Sequence, residues 1–562
     1  MNFTRNLSKS KSFLTILKDN LFLIVALIIC TFLVFYNLGD IEFWGEDEAQ
    51  TLLYASRFII GLENHSMANA TSIYSNITSS FVILVQVPFI LLFGVRELAS
   101  RMPSALVTIL TLFVIYKIGL LFLDRKSANF LALLYAVSGA VGLFKSSIGV
   151  GFYIFFILLG FYNIEKFLYA REERERGKFL NLQVGLIFVV LALISVLDAY
   201  FFIPFFAVLL LANIKKIGIK KLLLSLVAPI FLFLSFIYLE FILARQLTGV
   251  NNATYEHFIG RKGNLELTFN FKEFILGFIT SYSIYFVILF AVSLIAIIIL
   301  TALKKIKMPG ILKRIMLLFS LHFLVWMFLT KGENGHLMNS YPVAILIIAF
   351  AFKSISNLVK DMKFLKSGMR IAIKALIGFT LTVILCFNFY HTFIVFNDLS
   401  PDKERYPAIY MPGKIPAGYV WGHKVGIKSA AYLLRKDNFF TGGLVSHFGS
   451  AFNFIYMGGE MIVYNSTNAI EYMIAGEDIT KEYKIRYIAI SPDFFNKKYL
   501  EYIDSKGFKK IVITHKNNEI YYIYDILKTN NEVVIIDRGQ YDREYNREYT
   551  DIDVALPYFN SF

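Results

Sequence analysis

The chain has 562 residues, 57% hydrophobic and 17% aromatic, with a mean hydropathy of +0.59. A soluble core of this length cannot bury that much apolar surface, so lipid must be part of its solvent and a purely water-soluble fold is excluded. The net charge of +15 comes from 56 Lys and Arg against 41 Asp and Glu, but the basic residues sit in short runs between apolar segments, which is the cytoplasmic bias of a membrane protein and excludes nucleic-acid binding.

Apolar segments near the ~20 residues a helix needs to cross hydrocarbon recur at 20–38, 79–95, 103–123, 127–145, 147–168, 181–197, 199–214, 222–243, 275–303, 315–330, 337–353 and 375–395. The first follows a basic stretch (Arg5, Lys9, Lys11, Lys18) but is long and lacks a small-residue cleavage pattern, so it reads as a retained span rather than a signal peptide. Basic runs at Arg171–Lys178, Lys215–Lys221, Lys304–Arg314 and Lys353–Lys374 are expected to face the cytoplasm together with the N-terminus. From residue 171 onward the alternation closes and puts 38–78, Asp198, 244–274, 331–336 and everything after 395 on the outer face. Before Arg171 there are five segments where two cytoplasmic ends demand an even number. One segment between 103 and 168 is therefore expected to be a half-span, a merged pair or an interfacial helix, giving 11 or 13 spans. Cys30 and Cys386 lie far apart inside apolar runs, which leaves no disulfide framework or thiolate metal site.

After residue 395 the composition changes. Short β-branched or aromatic runs at 443–447, 461–464, 485–491, 509–515 and 519–525 are bounded by turn residues, and 427–437 has helical spacing. The expected organisation is thus a polytopic α-helical membrane domain, 1–395, followed by a soluble extracytoplasmic α/β domain, 396–562. No phosphate loop, nucleotide fingerprint or internal repeat is evident.

The stretch richest in chemistry is the first outer loop, where Glu46, Asp47 and Glu48 open a segment with Leu52, Leu53, Ala55, Phe58 and Ile59 on its apolar side, just past the interfacial pair Phe43 and Trp44. Taken alone, three carboxylates at a helix start fit the helix dipole and capping as well as catalysis. Elsewhere the residues leave two readings open. Asp198 in SVLDAYFF is a functional acid or a solvated turn residue capping the next helix; a carboxylate there costs far less than the roughly 2.5–3.5 kcal/mol of mid-bilayer. His336 beside Glu333 is a solvated loop histidine or a phosphate contact, and Arg245, Arg261 and Lys262 are anion ligands or snorkelling surface residues. Glu240 is placed to pair with Arg245.

With these residues on the page, the acidic loop, the apolar segment after it and LLFGVRELASRMPSALVTILTLFVIYKIGLLF (91–122) together resemble the polyprenyl-phosphate-sugar-dependent glycosyltransferases of the GT-C superfamily, such as the protein mannosyltransferases and the aminoarabinose transferases of lipid A. The matching positions are Asp47 and Glu48, then Phe93, Gly94, Glu97, Ala99, Arg101, Pro103, Ser104 and Ala105. GHLMNSYPVAILIIAF (335–350) looks like the family's outer loop leading into a Tyr-Pro span. The resemblance implies a GT-C-like fold and an integral protein of a bacterial or archaeal plasma membrane. It also implies transfer of a hexose or pentose, with inversion, from a polyprenyl-phosphate donor to a glycolipid, a surface polysaccharide or a protein on the outer face. On that reading Asp47 is the general base and Glu48 or Glu46 orients it or shares a divalent cation with it. Glu46, Arg101, Asp198, Arg245, His336 and Tyr341 are candidates for substrate contact. An all-oxygen donor set of Asp47 and Glu48 would suit Mg or Mn. The chain departs from the family pattern at Thr78, Ser79 and Ser80, where members open this segment with Lys-Pro or His-Pro, and at 145–153, where a second acid is common. The alternative from another class is a transporter or flippase of lipid-linked glycans, which predicts paired repeats and ionisable residues at the bilayer midplane.

Overall fold

The computed structural model describes residues 13–39, 46–66, 79–144, 149–169, 175–243, 246, 283–329, 341–361, 367–397, 427–436, 443–446, 463–482, 485–490, 492, 497–515, 517–539, 541 and 543; side chains of 13–19, 46–50, 143, 175–178, 197–198, 241, 243, 321–329, 394–397, 427, 435–436, 443–446, 463–468, 482, 515 and 518 fall outside that description. In chain order the helices are α1 (Phe13–Phe35), α2 (Glu46–Glu63), α3 (Ser80–Phe93), α4 (Glu97–Leu120), α5 (Arg125–Ala136), α6 (Gly139–Phe144), α7 (Val150–Tyr169) and α8 (Glu175–Ser195). A 3₁₀ turn at Leu197–Phe202 leads into α9 (Ile203–Ala212), followed by α10 (Ile219–Ile237), which ends in a π turn at Tyr238–Leu243. Then come α11 (Ile284–Ala302), α12 (Gly310–Leu329), α13 (Tyr341–Asp361) and α14 (Ser367–Asn397).

Among the described residues, six helices are long and apolar enough to cross a membrane, and four shorter apolar helices accompany them. Burial separates them into two groups. The most apolar windows of α4, α7 and α13 are 61–67% buried, whereas those of α10, α11 and α14 are 11–17% buried. The second group turns Phe231, Ile298 and Phe379 outward, each more than half exposed, as helices do when their solvent is hydrocarbon. The chain is an integral membrane protein.

Side-chain contacts fix which helix ends lie together. At the proximal end, where α1 starts, Arg125 Nη2 donates to Asn20 Oδ1 at 2.7 Å and Lys353 pairs with Asp124 at 3.6 Å. Asp124 also accepts from the Ser127 N–H at the start of α5; burial raises its carboxyl, but that bond and Lys353 outweigh it and hold it below the usual range. Arg314 grips buried Glu165 in bidentate fashion (2.5 and 2.7 Å) and donates to Tyr169, and Lys216 donates to the Leu168 carbonyl, so the end of α7 and the starts of α10 and α12 meet. At the distal end, Arg101 Nη1 donates to the Leu38 carbonyl at 3.2 Å, Ser283 to Asn388 at 2.5 Å, and Phe286 stacks on Tyr341 at 4.6 Å. Close helix approach depends on small residues: a Cβ on Gly160 would lie 2.9 Å from the Gly185 carbonyl, and one on Gly185 2.8 Å from Ile164.

The segment expected to be a second span behaves differently. The 14-residue helix α3, about 21 Å long, begins where Ser79 Oγ donates to the Ile194 carbonyl and the Ser80 N–H donates to Glu240 Oε1 at 2.9 Å. It ends at Gly94, whose neighbour Leu98 would lie 3.2 Å from a Cβ on Gly39. Ile194, Glu240 and Gly39 all belong to the distal end, so α3 starts and finishes there. The segment whose two ends lie together is therefore 80–93, outside the 103–168 stretch to which the parity argument assigned it. Segment 127–145 is broken at Val137 and Ser138, but α5 and α6 together still run from Asp124 to the Gly151 neighbourhood, where Phe144 packs.

After α14, the described tail comprises α15 (Ile427–Lys436), β1 (Gly443–Ser446), β2 (Val463–Asn465), α16 (Ser466–Ile474), β3 (Ile485–Ile490), α17 (Lys497–Ser505), β4 (Lys509–His515), β5 (Asn518–Asp525) and β6 (Val533–Asp537). They form a mixed sheet in the order β2-β1-β3-β5-β4-β6, with β3–β5 and β4–β5 antiparallel and the other pairs parallel. Strand alternation divides its core: Ile488, Ile490 and Tyr524 face Ala469, Ile470 and Ile503 of α16 and α17, while Tyr487, Ala489, Ile513, Tyr521 and Ile523 face the opposite way. The five strands and the helix expected from the sequence are present; β6, α16 and α17 were not anticipated.

Labelling tests the arrangement of α3. In a Cys30→Ala/Cys386→Ala background, Glu63→Cys and Arg96→Cys should react with an impermeant maleimide from the same side as Lys481→Cys in the tail, and Lys305→Cys from the other side. Labelling of positions 63 and 96 from opposite sides would mean that 80–93 runs the full depth of the bundle.

Candidate functional site

The acidic triplet opens α2 directly, with Glu46, Asp47 and Glu48 in its first turn. That is where the sequence pattern put them and where carboxylates are favoured by the helix dipole. Their side chains lie outside the described residues, so what the structure adds is the anchorage of the helix that carries them. Leu52, Leu53, Ala55, Ile59 and Ile60 of α2 are buried in one cluster with Ile83 and Ile90 of α3, Val95 and Ala99 at the entrance to α4, and Ala430, Ala431 and Leu434 of α15. Each such aliphatic side chain contributes roughly 1.5–3 kcal/mol on full burial. The cluster continues into the tail sheet, so α2 is held between the distal end of the bundle and the tail.

The first two turns of α4 bring these parts together. Glu97, 1% exposed, pairs with Lys428 of α15, Oε2 to Nζ 2.8 Å, both side chains buried. Leu98 packs on Gly39, and Ser100 Oγ donates to Gln86 Oε1 of α3 at 3.2 Å. Arg101, 2% exposed, holds the Leu38 carbonyl at the point where α1 gives way to the acidic loop. Arg101 is thus in contact with the approach to Asp47 and buried, not open on a surface.

The other candidates divide between two places. Asp198 sits in the 3₁₀ turn after α8, at the distal end, beside the start of α3; its side chain is outside the described residues. The same turn carries Tyr200, within electrostatic reach of the Glu240 carboxylate. Glu240 is 3% exposed and caps α3 through Ser80, a partner the sequence reading did not find, since that reading set it against Arg245. Tyr341 opens α13 at the distal end with its ring 1% exposed and stacked on Phe286. Arg245, Arg261, Lys262, His336 and Glu333 lie outside the described residues, as does Lys145. α3 therefore connects two places: the contact of Arg101 with Leu38 near its end, and the turn that carries Asp198 with Glu240 at its start. Among the described residues, no cluster of three His, Cys, Asp or Glu side chains is set to hold a metal ion.

Two contributors escaped the sequence reading. Lys428 is one basic residue among many in the tail, and its partner is 331 positions away. Arg57, on α2, is half-buried near Tyr54, and desolvation lowers its guanidinium against the opposing effect of that phenol. Its signal was an arginine in an otherwise apolar helical stretch.

Solved structures share this architecture. No family model and no curated protein matches the sequence. The apo oligosaccharyltransferase of Archaeoglobus fulgidus aligns with a TM-score of 0.55 at 10% identity, over 86% of this chain and 70% of that one. ArnT from Cupriavidus metallidurans bound to undecaprenyl phosphate aligns with a TM-score of 0.52 at 12% identity, over 90% of this chain and 97% of that one. The chain shares the membrane fold of these solved structures. A further structure with this fold, the archaeal oligosaccharyltransferase AglB from A. fulgidus with an inhibitory peptide and a dolichol-phosphate, aligns with a TM-score of 0.52 at 11% identity, over 85% of this chain and 70% of that one. The GT-C resemblance drawn from residues 36–122 and 335–350 thus agrees with the fold of nearly the whole chain.

Arg101 offers a direct test of how the loop is held. Arg101→Met keeps the buried stem but removes the charged donor to Leu38, so it should cost about 1.5–3 kcal/mol, read as a lower unfolding midpoint in detergent. It should also raise hydrogen exchange at 46–63. Unchanged exchange there would separate Arg101 from the loop.

Proposed function

We propose that this protein is a membrane glycosyltransferase that moves a sugar from a polyprenyl-phosphate donor to an acceptor at the distal, extracytoplasmic end of its bundle. The observation that carries the reading is the anchorage of the acidic helix start: Glu46, Asp47 and Glu48 open a helix fixed at one end of a GT-C fold by the buried cluster of α2, α3, α4 and α15. Two solved structures of this fold hold a polyprenyl phosphate, undecaprenyl in ArnT and dolichol in AglB.

Orientation follows from charge and parity. Lys215, Lys216, Lys304, Lys305, Lys313 and Arg314 gather at the proximal end, which we assign to the cytoplasm. The end-to-end runs are α1, α4, α5 with α6, α7, α8, the 3₁₀ turn with α9, α10, α11, α12, α13 and α14, with α3 left out. That makes eleven crossings among the described residues, an odd number, so a cytoplasmic N-terminus goes with an extracytoplasmic tail.

In the reaction we propose, an acceptor oxygen forms a bond to the anomeric carbon as the bond from that carbon to the phosphate oxygen breaks. The acceptor proton passes to the Asp47 carboxylate and the polyprenyl phosphate leaves, with inversion at the anomeric carbon. General-base help of this kind is worth roughly 10²–10⁴-fold. Glu48 and Glu46 orient Asp47. The all-oxygen pair Asp47 and Glu48 suits Mg²⁺ or Mn²⁺, which would supply charge neutralisation of the lipid phosphate. Asp198, Arg245 and His336 are assigned to the donor sugar and phosphate, Tyr341 to the wall of the site, and Arg101 to holding the loop. The acceptor class is a glycolipid, a surface polysaccharide or a protein, and the sugar a hexose or pentose.

Membranes containing Asp47→Asn should transfer sugar from a polyprenyl-phosphate donor at least ~100-fold more slowly than wild type while the protein keeps its amount and unfolding midpoint. Full activity of that variant would remove Asp47 from the chemistry, and wild-type membranes that move no sugar from any such donor would defeat the reading as a whole.

A further inference from the structure

We propose that the Glu97–Lys428 ion pair makes the tail part of the transfer site, with Lys428 as a positioning residue that sets how α4 holds the acidic loop. The inference rests on the glycosyltransferase reading only where turnover is the quantity measured.

Lys428 is the second residue of α15, and its side chain is as buried as that of Glu97. A lysine in the first turn of a helix is opposed by the helix dipole, and a buried one also loses its hydration. The carboxylate that offsets both lies across the interface, in the first turn of α4, where a negative charge is favoured. Lys428 is thus fitted to the docked tail, not to a tail standing alone.

Contacts on both sides of the pair form a continuous path. Ser429 Oγ donates to the Arg538 carbonyl just after β6 at 3.3 Å, which ties α15 to the sheet. One helical turn beyond Glu97, Arg101 holds Leu38, and the acidic loop begins two residues later. Ala430, Ala431 and Leu434 continue from Lys428 onto the same cluster as Leu52 and Leu53, the apolar residues nearest the acidic turn of α2. Apolar contacts of this kind tolerate sliding. A 2.8 Å ion pair does not, and it sets the register of α15 on α4.

The test separates register from mere adhesion with three variants of the full-length protein: Lys428→Met, Lys428→Arg, and the double variant Glu97→Leu/Lys428→Met. Lys428→Met removes the ammonium from the buried Glu97 carboxylate and should lower both the unfolding midpoint and kcat. The double variant replaces the pair with apolar side chains and should bring the midpoint back to near the wild-type value. Its kcat should nonetheless stay ~10–100-fold down, the effect of a catalytic group displaced by about 1 Å, with the donor KM changed less than about twofold and hydrogen exchange at 46–63 still raised. Lys428→Arg keeps the charge and should recover most of both kcat and protection. If kcat and exchange in the double variant return to wild type together with its midpoint, the pair is only an adhesive contact and the proposal fails. If the wild-type protein transfers no sugar, the functional reading fails by itself, and exchange at 46–63 in the three variants still decides whether Lys428 positions the loop.

Discussion

Residues 97 to 101, at the start of α4, are the point on which the distal end of the molecule depends. Within a turn and a half the helix offers Glu97 to the tail, Leu98 to the end of α1, Ala99 to the cluster beneath α2, Ser100 to α3 and Arg101 to the carbonyl before the acidic loop. Both charged side chains are almost fully buried. Charges in such a place are stable only with their partners in position, and leaving one alone costs about 3–5 kcal/mol. The elements that meet here are therefore tied to one another through buried charges rather than through apolar contact alone.

That constraint explains how a helical bundle can hold the helix that starts with Glu46, Asp47 and Glu48 at one of its ends. A loop between a span and an interfacial helix would ordinarily be among the less stable parts of a protein. Here α2 and α3 lie at the distal end and share one buried cluster with α15 and one face of the tail sheet, so the helix that the acidic residues open is anchored along its apolar side. The same end carries the 3₁₀ turn with Asp198, the Glu240 cap and the start of α13, while the proximal end is stitched by Arg314–Glu165 and Lys353–Asp124. Polar contacts at the proximal end hold helices to one another; at the distal end they also tie α4 to the end of the first helix at Leu38 and to the tail.

Much of this was readable from residues 1–562 as a string. Hydrocarbon imposes length and composition on whatever crosses it, so the apolar segments announce themselves, and the turn-bounded β-branched and aromatic runs that become β3, β4 and β5 do the same for the sheet. The acidic turn of α2 and the phrase from Phe93 to Ala105 carried the GT-C resemblance that the solved structures share. Strand β6, VVIID, has the same β-branched composition as the runs read as strands, and the sequence analysis does not include it.

What the sequence by itself determined is which segments avoid water, where the carboxylates of the first loop fall along the chain, and that odd parity is required between a cytoplasmic start and an outer tail. Hydropathy counts apolar neighbours but has no direction, so Ser80–Phe93 looked like a span although it leaves and returns at the same end. Which helix ends meet, and that Glu97 finds Lys428 across 331 residues, only the tertiary structure decided. The physical reason is that burial of a charge is a property of two surfaces brought together, and neither surface carries its partner's address.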